Sequence, residues 1–341
     1  MTLQTIWFTA VAVLWTGFLL LEGFDLGVAA LLPVLGRDAR DRHLMLRTIG
    51  PLWDGNEVWL ITAAGAVFAA FPGWYATWLP ALYLPFVLVL LGLIVRAVAF
   101  EWRHQHPDPR WDATWTWVIT GGSLVAALGV GAALAATTLG LSVDAHGTRV
   151  GGAFAGLGWP ALLGAAAVVG FAVVHGALFL ALKTDGPVRL RARAFALRWS
   201  PVAGLPLLAW AGLVQLREGT LATGVLWLVA ALAVPVAWAQ LRLDREGPAF
   251  AAWAGLLLAS AATLFGAAYP VVLPSTVSRA YDVTIATASV SQYTLTVMTW
   301  VAAVGLPVVL AYQAWTYWVF RKRLTAEPAH AAAPDRAPVP A

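Results

Sequence analysis

The sequence contains no cysteine, and only six histidines and three methionines among 341 residues. Disulfides, thiolate metal sites and cysteine nucleophiles are therefore excluded. Charge is scarce as well: 11% of residues are Asp, Glu, Lys or Arg, against 60% hydrophobic. A soluble chain of this length cannot hide so much apolar surface, so lipid must serve as solvent for much of it. The net charge of +4 is spread over loops rather than gathered on one face, which argues against nucleic acid as a partner. Phosphate-binding loops, dinucleotide fingerprints, zinc-type spacings and Ser-His-Asp arrangements are also missing.

What is present is a series of apolar stretches. Nine are long enough to cross a hydrocarbon core of ~30 Å, running over 6–35, 52–71, 77–100, 114–140, 156–182, 201–216, 222–241, 250–270 and 292–320. The sixth is short, and eight spans is the competing count. The first is expected to be retained rather than cleaved as a secretion signal. It lacks a basic leader, it is too long, and it carries Glu22 and Asp25. The predicted fold is thus an all-α polytopic membrane protein formed by residues 1–324, followed by a disordered tail over 325–341.

The placement of basic residues orients that map. With the N-terminus outside, the inner loops hold Arg37, Arg40, Arg42 and Arg47; Arg103 and Arg110; and Lys183, Arg189, Arg191, Arg193 and Arg198. They also hold Arg242 and Arg245, then Arg321, Lys322, Arg323 and Arg336 at the C-terminal end. Only Arg149, Arg217 and Arg279 fall outside, and Arg96 lies within a span. Nine spans with the N-terminus outside and the C-terminus cytoplasmic is the expected topology. Many of the 19 tryptophans sit near span ends, as in an ordinary aromatic belt. The segment 271–291 is expected to fold over the outer surface.

Ionisable groups inside spans are expensive and each demands a reason. Glu22 and Asp25 lie three apart, as do Asp54 and Glu57, so each pair shares a helix face. The third span ends in Arg96 and Glu101. At 1.5 Å rise per residue, all five acids fall in the inner half of neighbouring spans. Asp54, Glu57 and Glu101 are open to a plain reading as helix-end charges. Glu22 and Asp25 resist it, because both sit well inside an apolar span. Arg96 is expected to pair with one of the acids, yet one arginine cannot neutralise five carboxylates. Acids at graded depth that open to one side suit a proton-uptake path. The flanking Gly23, Gly27, Gly55 and Gly65 are expected to serve close helix packing.

A transmembrane haem protein spends a His or Met on each axial position. His43, His104, His106, His146 and His330 lie in loops or the tail, while His175 and Met298 lie in spans. The ligand count allows one haem at most, and none is expected. His175 reads either as a hydrogen-bonded packing residue or as a ligand, and no metal site is expected.

Three blocks then become recognisable: Glu22-Gly-Phe-Asp-Leu-Gly-Val28, Trp53-Asp-Gly-Asn-Glu-Val-Trp-Leu60 with Phe68-Ala-Ala-Phe-Pro72, and Arg96-Ala-Val-Ala-Phe-Glu101. Together with His175-Gly-Ala, Lys183-Thr, Arg191-Ala-Arg and Tyr293-Thr-Leu-Thr-Val-Met298, they resemble subunit II of the cytochrome bd-type quinol oxidases. Ala64 and Ala97 stand where glycine is expected, and Glu22 where many members carry aspartate; no carboxylate is lost. The resemblance covers nearly the whole chain apart from the tail. It implies a partner, subunit I, that carries haems b558, b595 and d and oxidises quinol while dioxygen is reduced to water. It also implies a bacterial cytoplasmic (inner) membrane location and allows a small single-span accessory subunit.

By motif match, Asp54 and Glu101 are the candidate proton-path residues, with Asp25, Glu22 and Glu57 beside them. Trp53, Asn56, Arg96 and His175 are candidate supporting residues. Two other classes compete: a proton-coupled secondary transporter, which would show internal repeats and broken midplane helices, and a structural scaffold, which would need no acid cluster.

Overall fold

The computed structural model describes residues 2–103, 105–152 and 154–325. The expected tail lies outside them except for Thr325, as do His104, His330 and Arg336. The described chain is a helical assembly with one small hairpin. Its helices are α1 (Leu3–Ala30), α2 (Leu32–Leu35), α3 (Ala39–Ile49), α4 (Trp53–Ala70), α5 (Pro72–Ala81), α6 (Tyr83–Trp102) and α7 (Pro109–Leu139). They continue with α8 (Trp159–Lys183), α9 (Pro187–Ala203), α10 (Leu205–Glu218), α11 (Leu221–Arg242), α12 (Glu246–Ala268), α13 (Ile285–Ala288) and α14 (Gln292–Val319).

Among the described residues, eight helical stretches are long and apolar enough to cross a membrane, with α9 and α10 counted as one. The 18-residue α4 is not among them, because Asp54, Asn56 and Glu57 crowd its first turns. It nevertheless packs lengthwise on α1. Two differences from the sequence expectation follow from local chemistry. The third apolar stretch divides into α5 and α6, since Pro80 and Pro85 flank the break at Leu82 and proline cannot continue a helical hydrogen-bond ladder. The sixth begins at Pro187 rather than 201, because α9 opens with an arginine-rich stretch that hides its helical character from a hydropathy reading.

Helices α1, α4, α6 and α7 pack together, and so do α8 to α12. The two groups join where α7 and α1 meet α8. Small residues set that seam. A Cβ on Gly27 would lie 1.8 Å from the Ala172 carbonyl oxygen, so α1 and α8 approach backbone to backbone. Gly65, by contrast, faces nothing within 4 Å, and close packing does not account for it. Helix α14 stands apart, with Leu295 as its only buried residue.

The hairpin of β1 (Val271–Leu273) and β2 (Val283–Thr284) is antiparallel and lies over one end of the bundle. Leu141 N–H donates to the Pro274 carbonyl at 3.0 Å, and Val290 N–H to the Ala70 carbonyl at 3.0 Å. Segment 271–291 thus caps the far ends of α4 and α7. Beside it, Asp144 accepts the backbone N–H groups of His146 and Thr148, both at 2.9 Å. These two donors hold its carboxyl below the usual carboxylate range.

The opposite end is dense in ion pairs. Arg103 and Arg42 both reach Asp112, at 2.7 and 3.3 Å, and Arg191 pairs with Asp41. Arg189 grips Glu246 through two hydrogen bonds of 2.9 and 3.1 Å, while Arg323 reaches Asp185 at 3.2 Å. Lys183 donates to the carbonyls of Phe320 and Lys322, which ties the end of α14 to the α8–α9 turn.

Candidate functional site

Where α1, α4, α6 and α14 meet near the ion-paired end, polar groups replace the apolar packing. Helix α1 contributes Glu22 and Asp25, one turn apart, both with no solvent exposure. Helix α4 contributes Asn56 and Glu57 from its first turns, and α6 contributes Arg96 from its last. Asn56 and Arg96 are also fully buried. An uncompensated charge at such depth would be prohibitive, so its partners define what the site can be.

Arg96 is the hub. Its Nη1 lies 2.7 Å from Glu22 Oε1 and 3.3 Å from Glu57 Oε2, joining carboxylates from α1 and α4. The guanidinium also rests on two rings, 5.7 Å from the Trp53 centroid and 5.2 Å from that of Phe100. Those rings stack on each other at 5.0 Å. A planar cation suits this setting, because it can ion-pair at its edge while its face covers aromatics. On the far side, a Cβ at Gly122 would lie 3.1 Å from the Arg96 Cβ, so α7 closes the pocket against the arginine stem.

Asn56 is the second junction. Its Nδ2 donates to Asp25 Oδ2 at 2.6 Å. Its Oδ1 accepts from Gln313 Nε2 at 3.0 Å and from the Tyr317 hydroxyl at 2.8 Å. A side-chain amide suits this junction, because its NH2 donates to the carboxylate while its oxygen, a separate atom, accepts from two donors at once.

Burial grades outward from this centre. The Glu57 side chain is 20% exposed, and Asp54, on the same face of α4 one turn earlier, is exposed. Glu101, at the end of α6, is exposed as well. Of the candidate acids, Glu22, Asp25 and Glu57 are therefore brought together, with Asp54 at the rim through Glu57. Glu101 stands separately on the surface. Gln313 and Tyr317 escaped the sequence reading. Their signal is slight: two polar side chains at i and i+4 on an otherwise apolar helix.

His175 on α8 is buried but outside this network. Its Nε2 lies 3.1 Å from the Leu20 carbonyl oxygen. The imidazole is stacked between Phe171 at 4.8 Å and Phe250 at 4.5 Å. Both ring faces and one nitrogen are thus engaged, as for a packed side chain. Met298, the other candidate, packs part-buried against the hydrophobic core. Among the described residues, no group of three or more His, Asp or Glu is placed to hold a metal ion.

A polytopic helical chain with a buried cluster of carboxylates, amide and guanidinium near an arginine-rich end defines a membrane protein with intramembrane acid chemistry. Residues 3–320 match the family of cytochrome bd terminal oxidase subunit II. The chain belongs to that family and is a terminal oxidase subunit. Cytochrome bd ubiquinol oxidase subunit 2 of Bacillus subtilis is 37% identical over 95% of this chain and 97% of its own length. Cytochrome bd-I ubiquinol oxidase subunit 2 of Escherichia coli is 35% identical over 95% and 96%. A chain in the structure of bd oxidase from Geobacillus thermodenitrificans shares the fold, with a TM-score of 0.75 over 94% of this chain and 99% of that one, at 16% identity.

Proposed function

We propose that this chain is the subunit of a quinol-oxidising, dioxygen-reducing complex that binds no haem itself and carries protons inward from one membrane face. The observation that supports this reading is the graded run of acids: exposed Asp54, part-buried Glu57, then fully buried Glu22 and Asp25. The haems, held by the partner subunit I, would supply the electron transfer from quinol to dioxygen. The water formed consumes protons, and those must cross apolar protein to reach the reaction.

Each residue has a task in that path. Asp54 takes up protons at the rim, and Glu57 hands them one helical turn further in. Arg96 meets both Glu57 and Glu22 at its Nη1, so one cation links the acids of α4 and α1. Asn56 fixes Asp25 in orientation, one turn of α1 nearer the arginine-rich end than Glu22. The arginine-rich end, where Asp54 opens, is the cytoplasmic side by the bias of basic residues. The N-terminus is then outside, and the membrane is the bacterial cytoplasmic one. Quinone and the partner subunit complete the assembly, and α14, with Leu295 alone buried, leaves a long flank for contact.

The test is Asp54→Asn in the assembled complex, an isosteric change at an exposed position. Haem absorption should be unaltered, while oxygen consumption and the membrane potential it generates fall at least tenfold. Unimpaired turnover would overturn the relay. Loss of haem absorption would instead assign Asp54 to holding the partner.

A further inference from the structure

A groove of about 820 Å³ runs between the turn after α1, helix α8 and helix α9. Its floor is a helix contact: a Cβ at Gly170 would lie 2.4 Å from the Ala203 carbonyl oxygen. Its walls are small and apolar, chiefly Ala166, Val173, Ala194 and Val202. Its mouth is cationic, formed by Arg37, Arg191 and Arg198.

The depth of the mouth follows from helix length. Together α9 and α10 cover 32 residues, or ~48 Å at 1.5 Å per residue, against a hydrocarbon core of ~30 Å. The surplus falls on the arginine-rich start of α9. Arg198 and Trp199 consequently stand where the apolar part begins, at the level of lipid headgroups, and Trp199 is 44% exposed. The Arg198 guanidinium lies 5.5 Å from the centroid of the Trp199 ring, a contact that uses its face and none of its N–H donors.

The three arginines are not equivalent. Arg191 is occupied by Asp41 and by the Leu35 carbonyl, to which it donates at 2.9 Å. Arg37 and Arg198 are exposed and line the same groove; the Arg37 backbone N–H donates to Asp41 Oδ2 at 3.1 Å, but neither guanidinium has a carboxylate partner among the described residues. Two uncompensated guanidinium groups over an apolar channel complement a phosphate that carries acyl chains. A free anion would use the charge but not the channel, and a neutral lipid the channel but not the charge.

We propose that this groove binds an anionic glycerophospholipid, its phosphodiester between Arg37 and Arg198 and one acyl chain along Val173 and Val202. The assembled complex, delipidated and titrated in native mass spectrometry with dioleoyl phosphatidylglycerol, dioleoyl phosphatidylcholine or inorganic phosphate, tests it. The wild type should retain one more phosphatidylglycerol than the Arg37→Gln/Arg198→Gln variant, whose affinity at that site falls at least tenfold. Val202 is 56% exposed, so Val202→Trp leaves folding intact while filling the channel, and it should remove the same lipid without touching a charge. Equal retention of phosphatidylcholine, retention unchanged in either variant, or displacement by inorganic phosphate alone would each overturn the proposal. Should the double variant fail to assemble, Val202→Trp and the headgroup comparison still decide it.

Discussion

Asn56 donates to Asp25 across the α4–α1 contact at 2.6 Å, and through the other end of the same amide it accepts two hydrogen bonds from α14. Replacing it with leucine strands a buried carboxylate, an amide and a phenol together. An unsatisfied buried group costs about 1–3 kcal/mol, so Asn56→Leu should lower the thermal midpoint of the complex by several degrees. Asn56→Asp is expected to be worse, since it sets a second carboxyl against Asp25. Thermal unfolding followed by haem absorbance and by tryptophan fluorescence distinguishes local from global loss.

Arg96 holds Glu22 and Glu57 at 2.7 and 3.3 Å with no exposure of its own. Breaking one side of a buried ion pair costs about 3–5 kcal/mol, so Arg96→Gln should sharply reduce the yield of assembled complex. Arg96→Lys should rescue little, because an ammonium cannot serve two carboxylates and also lie flat on Trp53 and Phe100. Removing both members, as Glu22→Gln/Arg96→Gln, should assemble better than Arg96→Gln alone. If the double variant is as poor as the single, the pairing is not what stabilises the site.

His175 fills space between Phe171 and Phe250 and bonds to the Leu20 carbonyl. His175→Phe keeps the stack and forfeits one hydrogen bond, a change of about 1 kcal/mol. Haem content per complex, read by pyridine haemochrome, should therefore match the wild type. A loss of one haem would show that the ring is a ligand after all.

Asp144 lies outside the spans, in the loop between α7 and α8. Its carboxyl is held low by the N–H groups of Thr148 and His146. A depressed acid contributes order above its unfolded pKa of ~3.9 and loses that contribution as pH falls through the folded value. Amide exchange at residues 146–148, corrected for intrinsic rate, should stay slow at neutral pH and accelerate below about pH 4. In Asp144→Ala it should be fast at both.

How much of this was legible in the sequence depends on the kind of signal. Helix existence was, because runs such as 222–241 have nowhere to go but lipid. The start of α9 was not, since Arg189, Arg191 and Arg193 mask a helix that extends beyond the hydrocarbon. Glu22, Asp25 and Arg96 announced themselves through the cost of burying charge, and the pairing of Arg96 followed from the scarcity of cations in spans. Gln313 and Tyr317 did not, because a neutral polar residue on a membrane helix needs no special explanation until its neighbour is known. Nor could spacing separate part-buried Glu57 from exposed Glu101: which face of a helix is inward depends on the packing of the whole bundle.

Helix α14 contributes two of the four groups that bond Asn56, yet buries almost nothing against its own chain. Its seat is set by Gln313 and Tyr317 at one level and by the Lys183 contacts at its end. Without α14, Asn56 keeps its bonds to Asp25 and the Leu21 carbonyl but loses both donors to its Oδ1. Completion of the hydrogen bonds around Asn56 is therefore coupled to the seating of α14, a helix whose flank is left for contact outside this chain.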